Sequence, residues 1–288
     1  MTGDLGLFGL GLIGTGLARR LIAAGHGVTG YDPDPERRAG LRAMGGIPEE
    51  PARIWEKPLV ISAVFDTAQL AGIVAAAPDR RDTVLVSVST CDPDEIRALG
   101  ETAAAKGITL VEAPISGTSK ELEDGTALLL LAGDAAGLDR FEAVADAISA
   151  KRRRVGDLGA GNRMKLAINL VLGLNRAACA EGLVFAQAMG IAPDVFLEVA
   201  QISAAQSAMM ATKGPKMVAR DFAPEGRVAQ SRKDFHLIRE MAARQGRGRL
   251  PFVARYLEAM AECAERGEAD LDNAAILLAI ERMSRDAD

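Results

Sequence analysis

The feature that most constrains the fold is the glycine-rich segment GLGLIGTGLARRL near the start of the chain. It follows a short apolar run and precedes a helical pattern, and Gly9, Gly11 and Gly14 form the motif GxGxxG. In this motif the first glycine permits a tight turn, the second lets the backbone approach a pyrophosphate, and the third allows close packing of helix on strand. The segment therefore predicts a strand–turn–helix unit that binds a dinucleotide at the helix N-terminus.

Short runs of leucine and β-branched residues alternate with helical segments in the first half of the chain. The runs are DLGLFGLG, GVTGYD, PLVISAV, TVLVSVST and ITLVEAP, and TALLLLAG and RRRVGD predict further strands around a helix at about 135–149. This alternation is typical of βαβ units and a buried parallel sheet.

Near Gly159 the pattern changes to long helices. We expect a helix start at Pro251, and helix ends at Gly190, Gly214, Gly246 and Gly267. The sequence thus predicts two domains, residues 1–158 and 159–288.

Asp32 ends the second predicted strand, about 20 residues after the glycines. An acidic side chain at this place can accept hydrogen bonds from the adenosine ribose and repel a 2′-phosphate, which favours NAD over NADP. Two alternatives remain. The aspartate could simply start the turn before Pro33, and Arg37 or Arg38 could reach a phosphate.

Charge and composition argue against several classes of function. The formal net charge of −5 is the wrong sign for a nucleic-acid or anionic-membrane partner and favours a small-molecule ligand. The three cysteines lack CxxC spacing, and the two histidines cannot form a histidine-rich metal site. No signal-peptide pattern opens the chain, and no charge-free apolar stretch approaches the roughly 20 residues of a membrane span. We therefore expect a cytoplasmic protein without a metal site.

The segment GNRMKLAINLVLGLN, residues 161–175, predicts a catalytic helix. Gly161, Lys165, Asn169 and Gly173 recur every four residues and share one helix face. Apolar residues cover the rest of the circumference, so we expect the helix to be buried nearly all round, with the glycines leaving room for a ligand.

A lysine on such a helix must line a polar cleft or meet a partner. Lys165 follows the expected helix start by about one turn, where the helix dipole disfavours the ammonium form. It is therefore suited to exchange a proton with a hydroxyl or carbonyl group. Asn169 could orient the lysine or hold a substrate hydroxyl.

Four segments carry a pattern that extends over nearly the whole chain. They are GLGLIGTGLARRL, APISGTSKELEDGTA, GAGNRMKLAINLVLGLNRAACAEGLVFAQAMG and SRKDFHLI. Together they resemble the β-hydroxyacid dehydrogenase family, the family of 3-hydroxyisobutyrate dehydrogenase. The resemblance implies an α/β fold with an N-terminal Rossmann domain, a doubly wound parallel sheet, joined through a long helix to an all-α C-terminal domain. It also implies a homodimer or homotetramer.

The resemblance assigns roles residue by residue. It implies that Lys165 is the catalytic general acid and base and that Asn169 positions the substrate. Ser116 and Gly117 would contact the substrate carboxylate, with Thr118 standing where many members have a second glycine. The implied cofactor-binding residues are Gly9, Gly11, Leu12, Ile13, Gly14, Asp32, Thr90 and Lys233, the last of these followed by Asp234.

The implied reaction is reversible hydride transfer between NAD or NADP and a small β-hydroxyacid or its semialdehyde. SGTSKELEDGT is most similar to branches that reduce glyoxylate or succinic semialdehyde, but these commonly use NADP and carry arginine at the position of Asp32. Two alternatives differ in class. Imine reductases of this architecture usually replace the lysine with aspartate or tyrosine, and a non-catalytic nucleotide-binding module has less reason to retain Lys165 and Asn169.

Overall fold

The structure, a computed structural model, describes residues 3–79 and 82–285. The described chain divides into two compact units, of which the first ends at Lys165 and the second begins at Leu166. Each unit has a hydrophobic core of its own.

A mixed sheet forms the centre of the first unit. Its strands are β1 (Asp4–Phe8), β2 (Gly27–Tyr31), β3 (Ile47–Pro48), β4 (Leu59–Ser62), β5 (Thr83–Ser87), β6 (Ile108–Glu112), β7 (Ile115–Ser116), β8 (Leu128–Ala132) and β9 (Arg152–Gly156). The order is β3-β2-β1-β4-β5-β6-β8-β7, and β9 also pairs with β8. The pairs that join β1 to β6 are parallel, as predicted. However, β8 runs antiparallel to β6 and β7, so the sheet is not parallel throughout.

The described helices of the first unit are α1 (Leu12–Ala23), α2 (Pro35–Ala43), α3 (Pro51–Ile54), α4 (Thr67–Ala75), α5 (Pro93–Ala105), α6 (Ser119–Glu123) and α7 (Ala135–Ile148). All except α1 and α3 begin after a residue whose side chain caps the helix. Aspartates at the N-caps of α2, α4, α5 and α7 accept hydrogen bonds from first-turn N–H groups. The apolar faces of these helices then pack on the sheet.

The second unit is helical. The long helix α8 (Ala160–Ala188) starts in the first unit and continues into the second. It is followed by α9 (Pro193–Ile202), α10 (Ala208–Ala219), α11 (Val228–Arg244), α12 (Pro251–Glu265), a 3₁₀ turn at Asn273–Ala275, and α13 (Ile276–Met283). In its core the rings of Phe235 and Tyr256 stack with centroids 3.8 Å apart. The predicted fold class, a Rossmann-like α/β unit followed by helices, is confirmed.

Glycine marks helix ends at three of the four expected places. Gly190, Gly246 and Gly267 have positive φ just after α8, α11 and α12, and Pro251 begins α12. The prediction for Gly214 is wrong because this residue lies inside α10. A Cβ there would come within 2.5 Å of Leu197 Cδ1, so the glycine serves close packing of the helix.

The prediction that the long helix is buried nearly all round is also wrong. Met164, Val171 and Phe185 of α8 are 43%, 54% and 67% exposed, and they share a face with other exposed residues. Apolar residues do cover most of the circumference of α8, but the described residues of this chain leave one apolar face of the helix exposed.

By length and composition, α8 is the one described helix that could cross a membrane, with a mean hydropathy of 1.3 over an 18-residue window. Its apolar sequence is interrupted by Lys165 and Arg176, and both are buried. Arg176 donates a hydrogen bond to Ser231 Oγ at 3.1 Å. The side of α8 that carries Arg176 therefore packs against α11 of the same unit, whereas another side of the helix is the exposed one described above.

Candidate active site

The glycine turn between β1 and α1 leaves one of its three motif glycines facing open space. Gly9 has φ +86°, and a Cβ there would lie 2.5 Å from Ala63 O. A Cβ on Gly14 would lie 1.9 Å from Gly9 O. By contrast, the nearest described atom to a Cβ on Gly11 is Arg37 Nη1, at 3.9 Å. Gly9 and Gly14 are therefore required by packing, whereas Gly11 leaves the backbone open to a ligand.

The N-terminus of α1 provides polar groups at this opening. The helix begins at Leu12, and its N-cap, Gly11, has no side chain to bond the first-turn N–H groups. Leu12 is 37% exposed and Ile13 is half-buried. First-turn amides and the positive end of the helix dipole attract phosphate. The turn therefore fits the pyrophosphate of a dinucleotide.

Asp32 lies beside the glycine turn, at the end of β2, but its carboxylate already has partners. Oδ2 accepts the Leu10 N–H at 2.8 Å, and Oδ1 accepts the Asp34 N–H at 3.0 Å. Arg37 Nη1 lies 3.4 Å from Oδ2, and Arg38 Nη1 donates to the Asp32 carbonyl oxygen at 2.6 Å. The expected acidic side chain is thus in place, with two cations close to it.

Thr90 follows β5 and is buried, and the next residue is tied to the start of α8. The Cys91 N–H donates to Asn162 Oδ1 at 2.7 Å. Asn162 in turn donates to Glu112 Oε1 through its backbone N–H, at 2.9 Å, and through Nδ2, at 2.6 Å. Glu112 and Asn162 are both 0% exposed. Sequence reasoning missed this connection, although an acidic residue in the apolar strand ITLVEAP was a signal for it.

The predicted carboxylate-binding loop follows β6. Ser116 lies in β7, and Gly117 has φ +152°. Thr118 is the N-cap of α6: its hydroxyl accepts the Glu121 N–H at 3.1 Å, and its own N–H donates to Glu121 Oε2 at 2.7 Å. This capping box engages the Thr118 hydroxyl, so Ser116 is the better placed of the two hydroxyl groups to meet a ligand.

Lys165 lies in α8, about one turn after the helix begins, and is 6% exposed. The glycines on its stripe do not leave room for a ligand, contrary to expectation. A Cβ on Gly161 would lie 3.1 Å from Glu112 Cβ, and one on Gly173 would lie 2.4 Å from Phe235 Cε2. These glycines instead let protein side chains approach the helix closely.

Asn169 and Lys233 both have Asp234 as a neighbour. Asn169 Nδ2 donates to Asp234 Oδ2 at 2.8 Å, and Lys233 Nζ lies 3.1 Å from Asp234 Oδ1. Because a carboxylate only accepts hydrogen bonds, the Asn169 amide nitrogen must face it. The Asn169 carbonyl oxygen therefore points to the other side as an acceptor.

Two family models cover most of the chain. The model described as the NAD binding domain of 6-phosphogluconate dehydrogenase matches residues 4–156. The model described as NAD-binding of NADP-dependent 3-hydroxyisobutyrate dehydrogenase matches residues 159–280.

Curated relatives and solved structures agree with these matches. The chain is 27% identical to glyoxylate/succinic semialdehyde reductase 1 of Arabidopsis thaliana, over 96% of this chain and 98% of that protein. It is 30% identical to 2-(hydroxymethyl)glutarate dehydrogenase of Eubacterium barkeri, over 87% and 85%. The crystal structure of a 3-hydroxyisobutyrate dehydrogenase from Salmonella typhimurium superposes with a TM-score of 0.86 at 25% identity, covering 96% of this chain and 99% of that one. The chain therefore belongs to the β-hydroxyacid dehydrogenase family and is an NAD(P)-dependent oxidoreductase.

Proposed function

We propose that the enzyme interconverts a small β-hydroxyacid and its semialdehyde, with Lys165 as general acid and base. Residues 1–158 would bind the dinucleotide, and residues 159–288 would form the substrate and oligomerisation domain. The observation that carries the proposal is the burial of Lys165, 6% exposed, in a helix that is otherwise largely apolar around it. An amine is retained in such a place only if polar groups or a substrate meet it.

Lys165 Nζ is the group that accepts and donates the proton in the proposed reaction. In oxidation it accepts the proton of the substrate hydroxyl, and in reduction it returns a proton to the carbonyl oxygen. When bound, the nicotinamide cofactor supplies or accepts the hydride. Lys233, 16% exposed at its side chain and paired with Asp234, is proposed to lie next to the cofactor ribose.

Asn169 positions the substrate through its carbonyl oxygen. Its Nδ2 is held by Asp234, so Oδ1 remains to accept a hydrogen bond from the substrate hydroxyl or from the ammonium group of Lys165. The two side chains are one helical turn apart on α8, which is close enough to serve one ligand.

Ser116 and Gly117 are proposed to hold the substrate carboxylate. Gly117 at φ +152° follows the end of β7, and a Cβ there would lie 3.0 Å from Ala127 Cβ. The loop thus needs glycine at this position, and a hydroxyl with adjacent backbone amides is suited to an anion. Thr118 is proposed to hold the substrate-binding loop in place, since its hydroxyl caps α6.

For the cofactor we propose NAD as the preferred form. Asp32, 3% exposed, lies directly after β2, at the position that binds the adenosine ribose in dinucleotide-binding folds of this kind. Its negative charge opposes a 2′-phosphate, although Arg37 at 3.4 Å reduces that repulsion. The preference for NAD should therefore be moderate, with NADP still accepted.

A homodimer is the assembly that we propose, with a homotetramer as the larger form. Residues at the end of α8 and along α9 form an exposed apolar face in the second unit. Its members are Phe185, Met189, Ile191, Val195, Val199 and Ile202, which are 45% to 85% exposed. A group of large apolar residues exposed on neighbouring helices is typical of a surface that another protein chain covers.

We place the enzyme in the cytoplasm. The three cysteines, Cys91, Cys179 and Cys263, are free and buried. Burial raises the pKa of the Cys179 thiol to about 11 and that of Cys263 to about 12, so both stay protonated and unreactive. Reduced thiols fit a reducing compartment, and fractionation of cells that express the protein tests the assignment.

A substrate panel tests the proposed function. Purified enzyme is assayed with NAD and NADP against 3-hydroxyisobutyrate, glycerate, threonate and 4-hydroxybutyrate, and in reverse with NADH and NADPH against glyoxylate and succinic semialdehyde. We expect turnover of at least one of these, with kcat/KM higher for NAD(H) than for NADP(H). Binding of NADH without turnover of any panel member would contradict the proposal, as would reduction of cyclic imines alone.

A further inference from the structure

Glu112 is a buried carboxylate at the carboxyl end of β6 that the proposed chemistry does not use. It is 0% exposed and accepts four hydrogen bonds. Its Oε2 accepts the N–H groups of Gly159 and, at 3.3 Å, Gly161. Its Oε1 accepts the backbone N–H and the side-chain Nδ2 of Asn162, at 2.9 and 2.6 Å. The carboxylate thus lies at the N-terminus of α8 and bonds the N–H group of Gly159, directly before the helix, and those of Gly161 and Asn162 in its first turn.

This arrangement differs from the other helix caps in the first unit. The N-cap aspartates of α2, α4, α5 and α7 adjoin their own helices in sequence. Glu112 is 47 residues before Gly159, so its contact fixes α8 to β6 as well as bonding the helix end. Helix α8 and Glu112 are closely packed, since a Cβ on Gly161 would lie only 3.1 Å from Glu112 Cβ.

Asn162 extends the connection to a third element. Its Oδ1 accepts the N–H of Cys91, at 2.7 Å, and Cys91 directly follows Thr90 in the loop after β5. One buried cluster, Glu112 and Asn162, therefore joins the loop after β5, the end of β6 and the start of α8. These are the parts that carry Thr90, the strand that leads to Ser116, and Lys165.

Both carboxylate oxygens of Glu112 are engaged by N–H donors. Burial raises the pKa of Glu112 above its usual value of 4.5, whereas the hydrogen bonds from Gly159, Asn162 and Gly161 lower it and favour the ionised form. An amide at this position has a single acceptor oxygen, so it would leave part of these N–H groups without a partner.

We propose that Glu112, together with Asn162, is a positioning residue for catalysis. It fixes the first turn of α8, and Lys165 lies one turn further along the same helix, about 6 Å from Gly161 along the helix axis. A shift of the helix start would therefore move the Lys165 amine relative to Thr90 and Ser116. This inference rests on the proposed role of Lys165.

The test compares Glu112→Gln with Asp134→Asn, a matched control. Both substitutions replace a carboxylate that bonds a helix N-terminus by the corresponding amide, but Asp134 caps α7. Each variant is assayed with the panel substrate of highest kcat/KM. The measurements are kcat, the Kd for NADH, the thermal midpoint, and the isotope effect with cofactor deuterated at the transferred hydrogen.

We expect Glu112→Gln to lower kcat by roughly 10- to 100-fold and to raise the isotope effect, because hydride transfer becomes limiting when the reacting groups are misplaced. The Kd for NADH should change much less than kcat, since the glycine turn that would hold the pyrophosphate contributes none of the hydrogen bonds of the cluster, and only Thr90 adjoins it. Asp134→Asn should lower the thermal midpoint and leave kcat and the isotope effect as they are.

Asn162→Ala provides a second variant if Glu112→Gln does not fold. It removes the bond to Cys91 and one bond to Glu112, and we expect the same direction of change in kcat and isotope effect. Wild-type kcat and isotope effect in whichever of these variants fold would overturn the inference. That result differs from failure of the proposed function, in which Lys165→Ala itself would retain turnover.

Discussion

At the scale of single residues, Asp234 determines which end of the Asn169 amide is available for chemistry. Asp234 is 5% exposed, and it also receives Gln230 Nε2 at 3.3 Å and Lys233 Nζ at 3.1 Å. All three contacts are from hydrogen-bond donors, which matches a carboxylate and no other common side chain of this size. Asp234 therefore fixes the orientation of the Asn169 amide, although Asp234 itself would not contact the substrate.

Replacing Asp234 by asparagine tests this polarity. An amide at position 234 can pair with Asn169 in either orientation, so the Asn169 carbonyl oxygen would face the substrate only part of the time. We expect kcat/KM to fall by roughly tenfold, or about 1.4 kcal/mol in transition-state binding. The control is Asp270→Asn, which removes a carboxylate that is 85% exposed and pairs with Arg227. An equal loss in the control, or none in Asp234→Asn, would contradict the assignment.

Asp32 is the residue that we expect to set cofactor preference. Removing its charge should raise the ratio of kcat/KM for NADPH to that for NADH by about tenfold, since the cations of Arg37 and Arg38 remain beside residue 32. Asp32→Asn keeps one acceptor for the N–H groups of Leu10 and Asp34, so the variant should fold. Asp4→Asn is the control, because it removes an exposed carboxylate that pairs with Lys57. A ratio that stays the same in Asp32→Asn would show that other residues select the cofactor.

At the scale of elements, the parts predicted correctly are those with local causes. The strands are short runs of apolar residues, and the turn requires Gly14 because a Cβ there would meet the carbonyl oxygen of Gly9, five residues earlier. The shared helix face of Lys165 and Asn169 also follows from spacing alone, since α8 contains both residues, and their roles in catalysis stay a prediction. Such signals are complete within a few residues of sequence.

The parts that sequence reasoning missed depend on distant partners. Gly214 resembles a helix end, but its role comes from Leu197 on α9. The hydrogen bonds of Asn162 with Glu112 and of Asn169 with Asp234 join residues 50 and 65 positions apart. The reversal of β8 and the exposed face of α8 likewise follow from packing, which no local pattern encodes.

Two glycines of the turn should respond differently to alanine. In Gly14→Ala the new Cβ would clash with Gly9 O. We therefore expect the free energy of unfolding to fall by about 3 kcal/mol or more, at the upper end of what overpacking usually costs. Gly11→Ala has space for the methyl group and an ordinary φ of −71°, so it should fold normally and bind NADH more weakly. Urea unfolding and a fluorescence titration with NADH measure both effects. Equal loss of stability in the two variants would contradict the roles given to these glycines.

At the scale of the whole molecule, the exposed face of α8 and α9 makes assembly testable. Val199 and Ile202 are 57% and 85% exposed, and a charge among them should prevent a second chain from covering the face. We expect the wild type to sediment as a dimer or tetramer and Val199→Glu as a monomer. The control is Ile47→Glu on β3, which alters an apolar residue, 55% exposed, in the first unit. A monomeric wild type, or an unchanged assembly in Val199→Glu, would contradict the proposal.

The central claim is that the buried amine of Lys165 transfers the proton, and Lys165→Ala tests it most directly. Lys57→Ala, which removes a lysine paired with the exposed Asp4, is the control. Single-turnover measurements follow oxidation of bound NADH by the preferred panel substrate. The account predicts that Lys165→Ala binds NADH with the wild-type Kd and loses hydride transfer by about 10²- to 10⁴-fold, whereas Lys57→Ala behaves as wild type. Hydride transfer at the wild-type rate in Lys165→Ala, or loss of NADH binding together with turnover, would contradict it.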